Sequence, residues 1–410
     1  MSREIKRQNI QRLEQYFHNG CKKDCRQKLG VELEHFIVEP KRQKNVPYSG
    51  AGGVRELLEE WQTFYPGVYR EDGVLLGLYN SEYGLSLEPA AQLEISIAPQ
   101  EKISSIERVY RSFLKTVLPS LERRGYALVT AGCRPFGTSE ELELIPKKRY
   151  RYMDAYFQEK GPAGRQMMRS TAATQVSIDY CSEQDFIRKY RTACLAMPAL
   201  KLLTDNTRIL EGKPYSGYLA RTGIWSRVDE GRCGILPGVF DRSFGFRAYA
   251  EYLWKLEPIV VPEKGSVRPV GHQRVCGLWA DRLLEEEEIA HILSMTFPDV
   301  RVKQYVEIRG ADSMPLPYVL AYTALLKGLT FDKTAGEELL DRYPVDSAAV
   351  KKAERSLAEK GFEGEIYGEP AAGFCRRLID LAAKQLASEE RRCLELFEEL
   401  VQMKKTMGRE

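Results

Sequence analysis

The segment Val31-Glu32-Leu33-Glu34-His35-Phe36-Ile37 shows the period of two that is typical of a β-strand. Successive side chains of a strand point to opposite faces, so Glu32 and Glu34 share one face. The opposite face carries Val31, Leu33, His35 and Ile37. The segment therefore predicts a strand with one apolar face and one face that carries two carboxylates.

Three later segments alternate in the same way, and each again places polar side chains on one face. The polar positions are Gln92 and Glu94, with Glu88 just before Pro89; then Gln175, Ser177 and Asp179; and finally Tyr305, Glu307 and Arg309. One interpretation is an antiparallel sheet whose polar face meets solvent. The other is a sheet whose polar faces curve around one cavity. The alternation predicts the sheet and leaves both interpretations open.

If the polar faces surround one cavity, the carboxylates need a charged partner. Two carboxylates about 4 Å apart repel each other by about 4 kcal/mol at an effective dielectric constant of 20. Bound divalent cations cancel that repulsion, and carboxylate oxygens suit Mg²⁺ that carries nucleotide phosphates. Arg309, two residues after Glu307, would then stabilise a phosphoryl group during transfer. On this view Glu307→Gln removes a repelled charge and leaves the fold stable.

The composition is that of an ordinary globular chain. Its 410 residues are 43% hydrophobic and 29% charged, and 61 Lys and Arg against 58 Asp and Glu give a formal net charge of +3. This balance indicates neither a nucleic-acid nor a membrane partner. No apolar stretch approaches the roughly 18 residues of a membrane span, and the first ten residues lack the apolar core of a signal peptide. We therefore expect a cytoplasmic protein.

Cysteine and histidine usage gives little support for a metal site with sulfur or nitrogen ligands. The nine cysteines include no CxxC pair, which predicts reduced thiols. His18, Cys21 and Cys25 lie close together, but no second ligand pair follows at zinc-finger spacing, and their neighbours repeat at helical spacing. With only four histidines in the chain, oxygen atoms must hold any metal ion.

Strand and helix patterns mix along the chain without a regular βαβ alternation. An amphipathic helix is predicted over residues 3–27, and Ser104 with Glu107 forms a predicted capping box at the start of another helix. The glycine-rich stretch 49–53 also precedes a predicted helix. It lacks the Walker lysine, so we interpret it as a loop that caps the helix.

The C-terminal part of the chain has a helical pattern from about residue 333 to its end. No internal repeat occurs that would indicate a solenoid or a propeller. We therefore predict a catalytic domain at residues 1–332 and a helical C-terminal region at residues 333–410 that packs on it.

Eight short segments together resemble one known family. They are Gly30-Val-Glu-Leu-Glu-His-Phe36, Ser86-Leu-Glu-Pro-Ala-Ala-Gln-Leu-Glu94, Lys148-Arg-Tyr150, Met167-Met168 followed by Thr174-Gln-Val-Ser-Ile-Asp179, Glu211-Gly-Lys-Pro214, Arg221-Thr-Gly-Ile-Trp225, Leu236-Pro-Gly-Val-Phe240 and Tyr305-Val-Glu-Ile-Arg-Gly-Ala-Asp312. In this order, over about residues 28–330, they are similar to glutamate–cysteine ligases of the plant and proteobacterial type. Each segment alone is weak, but eight in register are not a chance match.

The resemblance implies an α+β fold like that of glutamine synthetase, with a curved, largely antiparallel β-sheet funnel and helices packed outside. It also implies ATP-dependent joining of the γ-carboxylate of L-glutamate to the amine of L-cysteine. The reaction would pass through a γ-glutamyl phosphate, use two or more Mg²⁺ ions and form the first intermediate of glutathione synthesis. The redox-switch cysteines of plant members have no match, so we expect no such switch. We expect a monomer or a homodimer.

Site residues follow from the resemblance position by position. The implied metal ligands are Glu32, Glu34, Glu88, Glu94 and Glu307. Glu307 and Arg309 are the implied catalytic residues. The implied substrate-binding residues are Gln175, Arg221, Trp225 and Arg169, and the implied nucleotide contacts are Lys148, Arg151 and Arg232. A surface ion pair is an equal alternative for Lys148 and for Arg151.

The chain departs from the family pattern in three places. Arg169 stands one position early and Ser170 fills the usual arginine position. Ser313-Met-Pro-Leu-Pro317 replaces a stretch with glycines and a tryptophan, and residues 263–288 form a shorter segment. These changes leave two alternatives open: a γ-glutamyl ligase that uses another amine, and a non-catalytic sensor of nucleotide or glutamate. The complete carboxylate set favours an enzyme.

Overall fold

The structure, a computed structural model, describes residues 3–23, 26–263 and 265–409. The strands are β1 (Leu29–Glu39), β2 (Lys44–Asn45), β3 (Gly67–Glu71), β4 (Val74–Tyr79), β5 (Tyr83–Leu87), β6 (Leu93–Gln100), β7 (Ala127–Val129), β8 (Ala173–Ile178), β9 (Ile209–Leu210), β10 (Lys213–Pro214), β11 (Cys233–Gly234), β12 (Val260–Glu263), β13 (Ser266–Pro269), β14 (Phe297–Pro298), β15 (Val300–Val302), β16 (Val306–Asp312), β17 (Glu365–Ile366) and β18 (Glu369–Pro370).

The α-helices are α1 (Arg3–His18), α2 (Val54–Trp61), α3 (Ile103–Arg123), α4 (Lys148–Lys160), α5 (Gly164–Ser170), α6 (Glu183–Leu203), α7 (Ala220–Trp225), α8 (Phe246–Lys255), α9 (Val275–Leu278), α10 (Glu286–Leu293), α11 (Leu316–Thr330), α12 (Lys333–Arg342), α13 (Ser347–Lys360), α14 (Ala371–Lys384), α15 (Ser388–Arg391) and α16 (Glu395–Met403). Within the described ranges, no helix has the length and apolar character needed to cross a membrane.

A ten-stranded sheet forms the centre of the molecule, and its strands run in the order β15-β16-β8-β1-β6-β5-β4-β3. Strands β2 and β7 also pair with β1, and every pairing in the sheet is antiparallel. Helices α3 and α6 pack against β6 and β16. The predicted α+β class with a large antiparallel sheet is therefore confirmed.

Strand β1 has the alternation that its sequence predicts. Leu29, Val31 and Leu33 are fully buried, whereas Glu32 and Glu34 keep partial access to solvent. His35 belongs to the buried face, where its ring nitrogens contact the Tyr110 hydroxyl at 2.8 Å and a backbone carbonyl at 3.1 Å. Burial lowers the pKa of His35 to about 4, so this histidine is a neutral core residue.

Several local predictions need correction. Helix α1 ends at His18, well before residue 27, and Cys25 of the suspected metal cluster lies outside the described residues. Helix α3 begins after Lys102 without a side-chain cap, so the predicted capping box at Ser104 does not form. The loop at 49–53 does precede helix α2, and Ser49 binds Glu143 through its backbone and hydroxyl groups.

The C-terminal helices share the hydrophobic core of the sheet-bearing part. Tyr367 donates a hydrogen bond to the carbonyl of Leu195 in helix α6 at 2.7 Å. Helix α14 crosses helix α11 closely, and Gly328 makes this crossing possible because a Cβ there would lie 2.5 Å from the carbonyl oxygen of Ala382. The domain boundary at residue 332 stays a prediction.

The crossing of α11 and α14 can be tested with two glycine substitutions. Gly328→Ala should lower the free energy of unfolding by about 1–3 kcal/mol, because the backbone of Ala382 must move away from the new methyl group. Gly373→Ala, in helix α14, meets open space and should raise it by up to about 1 kcal/mol. Urea denaturation followed by circular dichroism measures the free energy of unfolding of both variants. Equal changes in the two variants would contradict the close crossing of the helices.

Candidate active site

The polar face of the sheet places acidic residues of neighbouring strands side by side. In the register of β1 and β6, Glu34 lies directly opposite Glu94. On the other side of β1, Glu32 lies opposite Gln175 of β8. Like charges directly across an antiparallel pair are destabilising, since their Cβ atoms are only about 5 Å apart. The sheet thus brings together residues that the sequence predicted to share one face.

Within the described ranges these carboxylates form no ion pair, and the cations that act on them, such as Arg309, do so only from a longer distance. Glu94 accepts hydrogen bonds from Ser86 at 2.9 Å and Ser96 at 3.2 Å, which are neutral donors. Burial raises the pKa of Glu94 to about 7, and the charge of Glu88 adds to the shift. Burial together with Glu94 and Glu307 likewise raises the pKa of Glu32 to about 7.

The pKa of Glu34 is raised in the same way. Its carboxylate accepts hydrogen bonds from the Ala173 N–H at 2.9 Å and from the side-chain amide of Gln175 at 3.1 Å. Burial and then the charges of Glu88 and Glu94 raise the pKa of Glu34 well above its usual range. The three strand carboxylates of β1 and β6 therefore form a site that favours added protons or cations.

Glu307 is in the opposite situation, which corrects the expectation that its charge is repelled. Its fully buried carboxylate accepts hydrogen bonds from Arg301 at 2.6 Å, Arg309 at 2.9 Å and Lys303 at 3.0 Å. Burial alone would raise the pKa of Glu307, but these three cations hold it well below its usual range. Removal of this charge would leave buried cations unpaired, so Glu307→Gln cannot be neutral for the fold.

A β-bulge in strand β16 sets the position of Arg309. The pairing with β8 shifts between Ile308 and Ala311, so Gly310 is an extra residue opposite Gln175. The guanidinium of Arg309 donates hydrogen bonds to the side-chain oxygen of Gln175 and to Glu307. Because Gln175 also donates to Glu34, its amide connects the arginine with the carboxylate cluster.

Arg301 and Lys303 were missed by the sequence analysis. Arg301 lies on edge strand β15 between Val300 and Val302, which are buried, and Lys303 directly follows the strand. Arg301 also donates to the carbonyl of Thr296 at 2.8 Å, which fixes its guanidinium against Glu307. The same period of two that identified the other strands could have identified this short one.

The two residues predicted as nucleotide contacts at the start of helix α4 are both exposed at the surface. Lys148 pairs with Asp72 at 3.0 Å on the surface, and Arg151 is exposed and lies over the ring of Tyr152. Lys147 instead lies 4.7 Å from the ring of Tyr150. The Tyr150 hydroxyl donates to Glu88 at 3.3 Å, so this lysine and not Lys148 is near the carboxylates.

Two other predicted contacts are structural cations. Arg169 donates to Asp154 at 2.8 Å and to the carbonyl of Leu142 at 2.8 Å, which joins helices α4 and α5. Arg232 is 2% exposed and donates to Asp229 at 2.7 Å, to the Tyr156 hydroxyl and to two carbonyls. Their donors are used within the protein, so both arginines have structural roles here, and their contacts with substrate and nucleotide stay predictions.

Arg221 and Trp225 lie on helix α7 and line a cavity of about 340 Å³ that also includes Arg309. Arg221 is 6% exposed, and its terminal nitrogens reach the carbonyls of Arg309 at 3.3 Å and Gly310 at 3.4 Å. Within the described part of the chain, the Nε of Arg221 and the indole N–H of Trp225 have no hydrogen-bond partner. Unpartnered buried donors beside a cavity are suited to binding an anionic group.

The described residues contain no ready-made cluster of three or more His, Cys, Asp or Glu side chains around a metal position. The acidic face nevertheless has the donor chemistry that Mg²⁺ requires, because it presents carboxylate oxygens whose mutual repulsion a divalent cation would relieve. Glu32, Glu34, Glu88 and Glu94 fit this role. Glu307 would have to exchange an existing cation for the metal.

The sequence and the fold are both similar to those of known proteins. The sequence model of glutamate-cysteine ligase family 2 matches residues 28–406. Among relatives, the chloroplastic glutamate–cysteine ligase of Nicotiana tabacum is 31% identical over 422 residues, which cover 93% of this chain and 78% of the relative. The Arabidopsis thaliana enzyme is 31% identical over 345 residues, covering 80% and 63%. The chain thus spans less than two thirds of the Arabidopsis protein.

The fold is also found among solved structures. A crystal structure of glutamate–cysteine ligase from Francisella tularensis in complex with AMP superposes with a TM-score of 0.56. The two sequences are only 12% identical, and the match covers 94% of this chain and 84% of the other, so it shows a shared fold. An antiparallel sheet with helices outside, as predicted for a glutamine-synthetase-like ligase, is therefore confirmed. By its family match and its relatives, this chain belongs to glutamate-cysteine ligase family 2.

Proposed function

We propose that this protein joins the γ-carboxylate of L-glutamate to the amine of L-cysteine at the expense of ATP, giving γ-glutamylcysteine. Membership of the family and the names of the relatives support this reaction. The observation that carries the proposal is the connection from Arg309 through Gln175 to Glu34, which places a cation for phosphoryl transfer beside an acidic face. A carboxylate is a poor electrophile, and such a site can activate it by phosphorylation.

Magnesium belongs to this proposal. Glu32, Glu34, Glu88 and Glu94 would hold two or more ions, with Glu307 as a further ligand after release of Lys303. Bound magnesium supplies positive charge to the phosphate oxygens of ATP and offsets the repulsion among the carboxylates. Lys147, beside Tyr150 and Glu88, is our candidate for a nucleotide contact in place of Lys148.

In the first step, an oxygen of the γ-carboxylate forms a bond with the terminal phosphorus of ATP while the bond to ADP breaks. Arg309 stabilises the charge on the transferring phosphoryl oxygens, and Glu307 and Gln175 keep its guanidinium aligned. Arg221, with its free Nε, is placed to bind a carboxylate of the donor glutamate.

In the second step, the amine nitrogen of the acceptor forms a bond with the acyl carbon. Inorganic phosphate leaves with the electron pair of the broken C–O bond, and the amine proton passes to water. The products are γ-glutamylcysteine, ADP and phosphate. A γ-glutamyl ligase for another amine would share the first step, whereas a non-catalytic sensor would lack both steps. We further propose a cytoplasmic location, monomers or homodimers, and reduced cysteines.

The reaction is tested by ADP release with ATP, Mg²⁺, L-glutamate and a panel of amines, with product identification by mass spectrometry. We expect release that depends on L-cysteine and yields γ-glutamylcysteine. Release with a different amine would keep the mechanism and change the acceptor. Absence of release with any amine, from protein shown to be folded, would favour the sensor.

The contrast between Glu32 and Glu307 gives a second prediction. At pH 8 without ligands, Glu32→Gln should raise the free energy of unfolding by on the order of 1–3 kcal/mol, because the amide has no charge to repel. Glu307→Gln should lower it by about 3–5 kcal/mol, because three cations lose their partner. Both variants should lose turnover at least about 100-fold.

The pH dependence of these variants follows from the sign of each pKa shift. The pKa of Glu32 is raised on folding, so its charge destabilises the protein as pH rises from about 4.5 towards 7, and the gain in Glu32→Gln should vanish near pH 4. The pKa of Glu307 is lowered, so its stabilisation is present at neutral pH and is lost in acid.

Glu39→Gln, which affects a surface pair with Arg42, is the control and should change the free energy of unfolding by under about 1 kcal/mol. Equal changes in the free energy of unfolding for Glu32→Gln and Glu307→Gln would contradict the opposite charge environments assigned to these two residues.

Ligand binding provides a third measurement. Mg²⁺ with a non-hydrolysable ATP analogue, at 100 times its dissociation constant, should stabilise the folded protein by about 2.7 kcal/mol. The analogue with EDTA in place of Mg²⁺ should stabilise it much less, since the carboxylates then repel the phosphates. Equal thermal shifts with and without Mg²⁺ would argue against the metal sites.

A further inference from the structure

Helix α13, in the C-terminal region, presents one face to the cavity that contains Arg309 and Arg221. The residues of that face are Lys351, Glu354, Arg355 and Ala358. Their spacing of three, four and seven residues is that of neighbours along one side of a helix. A region that the sequence analysis treated as packing therefore supplies a wall of the candidate substrate cavity.

Two carboxylates of the cavity share one lysine. Lys201 is 5% exposed and binds Asp299 at 2.8 Å and Glu354 at 2.7 Å. This cluster connects helix α6, the segment before strand β15 and helix α13. Glu354 therefore forms its ion pair with Lys201, and the charge of Lys351 acts on it only from a longer distance.

Lys351 and Arg355 are four residues apart and carry the same charge, an arrangement that costs a helix a few tenths of a kcal/mol. Both side chains are exposed at the cavity, and in the described ranges neither has a hydrogen bond or an ion pair. A pair of adjacent cations without a protein partner is suited to binding a carboxylate.

Part of the cavity lining is apolar, next to the exposed carboxylate of Glu230. Trp225 and Phe297 lie there with ring centroids 6.1 Å apart, beside Cys233 and Ile235. A site with two cations and an apolar part suits an α-amino acid with a small, polarisable side chain. Its carboxylate can reach the cations while its side chain contacts the apolar residues.

We propose that this cavity binds the amine acceptor as an α-amino acid, and that Lys351 and Arg355 bind its carboxylate. The proposal rests on the ligase reaction proposed above and adds a selection rule to it. Arg309 lines the same cavity, so an acceptor held by helix α13 would share the cavity with the arginine proposed to act in phosphoryl transfer. Amines without a carboxylate should therefore be poor acceptors.

The test compares L-cysteine with cysteamine, which has the same amine and thiol but no carboxylate. In the parent protein, kcat/KM should be at least about 10-fold higher for L-cysteine. Arg355→Gln should raise the KM for L-cysteine about 10-fold, and Lys351→Gln/Arg355→Gln should raise it further, with kcat changed less than about 3-fold. The kinetic constants for cysteamine, and the KM values for glutamate and ATP, should stay unchanged.

Lys352→Gln is the matched control, because Lys352 is an exposed lysine of the same helix that does not line the cavity. It should leave all constants unchanged. An active parent whose double variant keeps its KM for L-cysteine would overturn this inference alone. An increase in the KM for glutamate instead would assign the cations to the donor and also overturn it. A folded parent that is inactive with every amine would overturn the ligase reaction and this inference together.

Discussion

The buried carboxylate of Glu307 is the interaction on which the polar face of the sheet depends. It holds Arg301, Lys303 and Arg309 within hydrogen-bonding distance, so three cations are gathered at one end of the face. Without that anion the three cations would repel one another. The other end has the opposite imbalance, because the carboxylates of β1 and β6 lie there without an ion pair in the described part of the chain. Gln175 lies between the two ends and bonds to both. The site is thus polarised before any ligand arrives, with a positive part that suits the proposed phosphoryl transfer and a negative part that suits the proposed metal ions.

Much of this arrangement could be predicted from the sequence because a strand has a simple period. The alternation in β1, β6, β8 and β16 identified the acidic face and the residues on it, and the antiparallel sheet confirms that they are neighbours. The environment of Glu307 could not be predicted in this way. Its partners are Arg301, on a strand of three residues, and Lys303, directly after that strand, and the period of two that marks the strand covers only these few positions.

Other errors have equally physical causes. Whether Lys147 or Lys148 points toward the carboxylates depends on where helix α4 begins, and helix ends are the least certain part of a sequence-based prediction. Arg169 and Arg232 carry the residue type expected at a substrate site, but a guanidinium serves equally well to bind carbonyl groups of the core. That helix α13 lines the cavity could not be predicted from the sequence for a third reason. It depends on contacts such as that of Lys201 with Glu354, more than 150 residues apart, for which no local pattern exists.

The extra residue of strand β16 has a consequence for how this protein can change in evolution. Before the bulge, Glu307 and Arg309 face the polar side; after it, Asp312 and not Ala311 returns to that side, since the pairing with β8 has shifted by one. If the same residues paired without the bulge, Ala311 would face the polar side and Asp312 the apolar side, while the upstream half of the strand stayed in place. Loss of the extra residue, by contrast, would restore a regular pairing and keep Asp312 on the polar side. Among relatives, a gap of one residue between 308 and 311 is therefore compatible with the same polar face, even where the amino acids differ.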